Sequence, residues 1–78
     1  MSYDDLYEAA RKQPFEPFRI RITTGDRYAI RHPDLIMVGK RSAVIGVSKK
    51  PSQKAYDYTI KIDLLHIVSL EEIRQPVK

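Results

Sequence analysis

Apolar and polar residues alternate along Phe18-Arg19-Ile20-Arg21-Ile22-Thr23 and again along Arg27-Tyr28-Ala29-Ile30-Arg31. Successive side chains of a strand point to opposite faces, so each run predicts a strand with one buried and one wet side. With Gly25-Asp26 between them, the two runs predict a β-hairpin. The first dozen residues follow a different period. Tyr3, Leu6, Tyr7 and Ala10 fall at i, i+3, i+4 and i+7, one stripe of an amphipathic helix over about 2–12. Ser2 suits the N-cap, Asp4 and Asp5 the first turn, and Arg11 and Lys12 the last. Pro14 stops the helix, and Pro14 to Pro17 forms a stiff, extended connector.

Beyond the hairpin, His32-Pro33-Asp34 predicts a corner, because Pro33 has no N–H to give to a ladder. Leu35 to Val38 reads as a short strand, Gly39 to Ser42 as a turn, and Ala43 to Val47 as a strand that Gly46 can bend. Ser48 to Lys54 reads as a mobile basic loop. Tyr56, Tyr58, Ile60 and Ile62 alternate with Asp57, Thr59, Lys61 and Asp63, which predicts a strand with both tyrosines on the core side. Asp63 to His66 forms a tight turn, Ile67 to Leu70 the last strand, and Glu71 to Lys78 a polar end expected to fray.

Hydrophobic pattern also predicts a register. A loop of Thr24-Gly25-Asp26 pairs Ile22 with Tyr28, Ile20 with Ile30 and Phe18 with His32, keeping all apolar side chains together. Gly25 would suit the third loop position better. In this register Arg19, Arg21, Arg27 and Arg31 share the outer face, with Arg19 opposite Arg31. Like charges across a strand pair repel. Asp57 or Asp63 from a neighbouring strand, solvent, or an anionic ligand would relieve them.

The order is one helix followed by about five strands, drawn from segments at about 17–23, 27–32, 35–38, 43–47, 55–62 and 67–70. Short, twisted antiparallel strands with one apolar face predict a small five-stranded barrel of the SH3-like or Sm-like kind, in a mainly β (α+β) single domain spanning 1–78. A flatter sheet with the helix across one face is the alternative.

Size and charge narrow the picture. Seventy-eight residues make one small domain with a modest core. No cysteine is present, which excludes disulfides and a cysteine-based zinc site. The acidic start, Met1 to Asp5, is unlike a signal peptide, and no apolar run approaches a membrane span, so a cytoplasmic protein with no membrane partner is expected. Net charge is +4. The middle is more basic: from Phe18 to Ala55 nine cations face two anions.

No catalytic residue, metal ligand or cofactor emerges. His32 and His66 both read as structural histidines whose rings bond backbone, with Asp34 and Asp63 as the nearest carboxylates in sequence. The glycines at 25, 39 and 46 form no phosphate loop. Arg19, Arg21, Arg27 and Arg31 remain as a patch of guanidinium groups suited to phosphate or carboxylate, which Lys40, Arg41, Lys49 and Lys50 could extend. Leu35 to Val38 is apolar on both faces, which predicts burial on both sides or an edge that pairs with a second subunit.

The stretches PFEPFRIRITTGDRYAIRHPDLIMVGKRSAVIGV and IDLLHIVSLEEI resemble a family of small uncharacterised bacterial proteins. That pattern joins a short helix, PFxI, a TGD- or DGR-type turn, HP[DE] and a terminal DLLHIxxLE. The resemblance covers Pro14 to Glu72 and implies no activity and no catalytic residue. Leu65-His66-Ile67 gives a looser likeness to Sm-like RNA-binding barrels, without their Asn- or Gly-rich loop beside the histidine. The expected function is a non-enzymatic binding module with a basic outer face, its partner nucleic acid, RNA first, or an acidic protein. A protein-interaction or self-assembling module, with homo-oligomers formed through edge strands, is the alternative.

Overall fold

A computed structural model describes residues 1–50 and 55–73. One helix, α1 (Tyr3–Ala10), precedes β1 (Phe18–Ile22), β2 (Arg27–Ile30), β3 (Ile36–Val38), β4 (Ser42–Val47), β5 (Tyr58–Asp63) and β6 (Ile67–Glu72). Pro33–Leu35 and Leu64–His66 are 3-10 turns. The fold is mainly β, as expected. Its strands form two three-stranded antiparallel sheets, β2-β1-β6 and β3-β4-β5, rather than a closed five-stranded barrel. The physical reason lies in the two 3-10 turns. Each ends one ladder and passes the chain to the other sheet, the first from β2 to β3 and the second from β5 to β6. Leu35, expected to start a strand, is the last residue of the first corner.

Core residues sit where the period-two pattern puts them. Phe18, Ile20 and Ile30 of one sheet meet Ile36, Ala43, Ile45 and Ile62 of the other, and all are buried. Leu6 and Ala10 of α1 add to this cluster. Tyr7, from the same predicted stripe, lies at the rim instead and stacks on Tyr3 at 5.4 Å between ring centroids. Ser2 Oγ accepts the Asp5 N–H at 3.2 Å, capping the helix as expected. At the other end Arg11 is the C-cap. Its guanidinium donates to the carbonyls of Ala10, Pro33 and Ile36, tying the helix end to the first corner and β3.

The hairpin register differs from the expected one by two residues. Phe18 lies opposite Ile30, Ile20 opposite Tyr28, and Arg21 opposite Arg27. The loop is Thr23-Thr24-Gly25. The Gly25 N–H donates to the Ile22 carbonyl at 2.9 Å, and the Ile22 N–H donates to the Asp26 carbonyl at 3.0 Å. Gly25 has φ +94°, which suits the left-handed third position of a three-residue hairpin loop. Turn chemistry therefore fixed the register. A slip of two keeps every side chain on its predicted face, so Phe18, Ile20 and Ile30 still point inward.

Glu71 and Glu72 extend the ladder of β6, opposite Arg19 and Phe18, so the strand runs past its predicted end at Leu70. The predicted mobile loop is hydrogen-bonded where it is described: Ser48 Oγ donates to the Ala55 carbonyl, and the Lys49 N–H donates to Asp57 Oδ2. Its residues 51–54, and 74–78 of the expected polar end, lie outside the described residues. Met37 of β3 is 67% exposed, so that apolar strand is not buried on both sides.

Gly25→Ala should lower stability by about 1 kcal/mol, because a side chain disfavours positive φ even in open space. Urea unfolding monitored by circular dichroism measures it.

Candidate anion-binding face and the open trough beside it

Strand parity places Arg19 and Arg21 of β1 and Arg27 of β2 on the outer face of the β2-β1-β6 sheet. Arg21 and Arg27 are direct neighbours across the ladder. The predicted Arg19–Arg31 pair does not form: Arg19 faces Ala29, and Arg31 lies just beyond the end of β2. Like charges are still opposed, one pair further toward the turn.

Relief comes from an unexpected residue. Glu71 of β6 lies beside Arg19 on the ladder, its Oε1 at 3.9 Å from Arg19 Nη1 and 3.4 Å from Arg27 Nε. It does what Asp57 or Asp63 was expected to do. Asp63 instead caps the second corner, accepting the Leu65 N–H at 2.9 Å. Sequence reasoning missed Glu71 because its segment read as a tail. The signal that could have found it is the local alternation Ser69-Leu70-Glu71, whose phase with Ile67 is broken by a bulge at Val68.

A second feature adjoins this face. An open trough of about 240 Å³ lies between β2 and the end of β4. Arg27 and Arg31 line it on one side, Gly46 to Ser48 on the other, and Tyr28, Leu35 and Ile45 contribute apolar surface. Lys49 and Lys50 follow directly in the chain. The structure thus brings Arg19, Arg21 and Arg27 together on one face and Arg27 and Arg31 along one trough. Lys40 and Arg41 line a separate hollow with Met1, Tyr3 and Leu65.

Tyrosines 56 and 58 correct a further expectation. They are 56% and 50% exposed, not core. Tyr56 precedes β5 and packs against Gly46. A Cβ on Gly46 would lie 2.9 Å from Tyr56 Cβ, so the bare glycine makes room for this aromatic side chain. Gly46 serves close packing here, in place of the predicted bend.

Neither histidine joins a cluster of possible metal ligands among the described residues. His32 is half-buried at the start of the first corner. His66 is exposed, and its Nδ1 lies 3.4 Å from Thr23 Oγ1 rather than on backbone. Among the described residues no helix is long and apolar enough to cross a membrane. No protein-family model, curated protein or solved structure matches the chain.

Glu71→Gln should lower stability by no more than about 1 kcal/mol, since the two ion pairs it removes are partly solvated. The loss should shrink as salt screens the arginine repulsion. Urea unfolding at low and high salt measures both effects.

Proposed function

We propose that the chain is a non-enzymatic binding module that presents its basic face to a polyanion, with single-stranded RNA the first partner to test. One observation carries this reading. The outer strand positions of the β2-β1-β6 sheet hold three arginines, Arg19, Arg21 and Arg27, against one carboxylate, Glu71. Guanidinium groups offer paired donors to phosphate oxygens, and a row of them releases counterions on binding. Tyr56 and Tyr58 are exposed as well, but they lie just before and at the start of β5 in the β3-β4-β5 sheet, so the arginine row carries the reading through phosphate contact.

A second reading, a protein-interaction or self-assembling module, is favoured by the open sheet edges. Among the described residues, two separate three-stranded sheets leave β2 with a neighbour on one side only.

Fluorescence anisotropy with a labelled single-stranded RNA and a DNA duplex, across a salt series, tests the first reading. Binding should be salt-sensitive, should weaken at least about tenfold when Arg19, Arg21 and Arg27 are all changed to Gln, and should strengthen in Glu71→Gln. Absence of binding at about 50 mM salt, which favours phosphate contacts, would remove it.

A further inference from the structure

The trough between β2 and β4 has the features of a strand-addition site. Bonded pairs alternate along an antiparallel ladder. Since the Ile22 N–H bonds the Asp26 carbonyl, the bonded partners of β1 on β2 recur at Tyr28 and Ile30. The backbone groups of Arg27 and Ala29 therefore point away from β1, toward the trough. Among the described residues, β2 pairs with β1 alone. On the far side, β3 covers β4 only from Ala43 to Ile45, while β4 runs on to Val47. The trough is thus flanked by one open strand edge and by a strand end that outruns its neighbour.

Parity around the trough prescribes what could fill it. Tyr28 of β2 and Ile45 of β4 are on the core side, and Leu35 lies beside them. Arg27 and Arg31 are on the outer side, and across from them the space over Gly46 is taken by Tyr56. A strand laid against β2 would alternate its side chains between these two environments. Its inward residues would meet apolar surface and its outward residues Arg31, while the Arg27 guanidinium is held across β1 by Glu71 at 3.4 Å and reaches an added strand only by leaving that carboxylate.

We propose that this trough receives an extended peptide strand of a partner protein in which acidic and apolar residues alternate, the strand adding to the free edge of β2. Main-chain hydrogen bonds to Arg27 and Ala29 would hold it, the pocket floor would select apolar side chains, and Arg31, joined by Arg27 exchanging Glu71 for a peptide carboxylate, would select carboxylates. This proposal rests on the protein-interaction reading; it shares Arg27 with the anion-binding face but makes no use of Arg19 or Arg21.

The test uses a labelled peptide of about seven residues, enough for a typical strand, with Glu alternating with Val. Two controls accompany it: the same peptide with Lys for Glu, and one N-methylated at the residues that would bond β2. Anisotropy reads affinity, and amide hydrogen exchange by NMR reads location. The Glu-Val peptide should bind and slow exchange at Arg27 and Ala29, and both controls should fail. Arg27→Gln with Arg31→Gln should weaken binding about tenfold, as loss of two charge contacts predicts. Arg19→Gln with Arg21→Gln, which disables the RNA face, should leave peptide binding intact.

No binding at about 1 mM peptide, a very weak limit, would overturn the proposal. So would equal binding of the N-methylated peptide, or protection confined to β3, β5 or β6. A short RNA that protects Arg27 and Ala29 where the peptide does not would assign the trough to nucleic acid instead.

Discussion

The alternation of side chains along β1 is the constraint on which the molecule depends. β1 is the central strand of its sheet, flanked by β2 and β6. Ladders on both sides leave it no freedom to roll, so each residue is committed to one face. Ile20 lies wholly in the core while Arg21, one residue on, is exposed. The hydrophobic gain from Phe18, Ile20 and Ile30 therefore holds the arginines outside. Charge on this surface follows from packing beneath it.

Two short corners decide the rest. Pro33–Leu35 and Leu64–His66 occupy matching positions, each joining the end of one sheet to the start of the other. They stack two small sheets over a shared apolar layer, with α1 contributing Leu6 and Ala10. The corners also create the edges. A chain that turns sharply after Ile30 cannot let β2 continue into a ladder with β4, and the trough remains between them.

Much of this was legible from residue order, and the failures have particular causes. The inside–outside assignment of Phe18, Ile20, Ile30 and Arg19, Arg21, Arg27 was readable because period two is a local property. The register was misread by two because hydrophobic pattern is indifferent to an even slip. Only the positive φ of Gly25 distinguishes the alternatives, and weighting the turn above the pattern would have found it. Tyr56 and Tyr58 were misplaced because alternation shows which residues share a face but not where the core stops. Glu71 was missed because two adjacent glutamates look like a solvated end, although a strand next to an arginine row is where carboxylates are stabilised. The partition of six strands into two sheets depends on non-local pairings that no short window contains.

The placement of Arg27 and Arg31 bears on partner choice as well as on charge. An open edge strand is a hazard, since its unpaired N–H and C=O groups can template association with another copy. Antiparallel pairing of two β2 edges would bring this strand's arginine-bearing face against itself, cation against cation, and like charges directly opposed destabilise such a pair. The core places no demand for cations at these outward positions; an uncharged β-former would suit the pleat equally well. Arginine thus disfavours β2–β2 self-pairing while leaving the edge open to a strand of opposite charge. Specificity of this kind is a difference between two affinities, and the same two side chains raise one and lower the other.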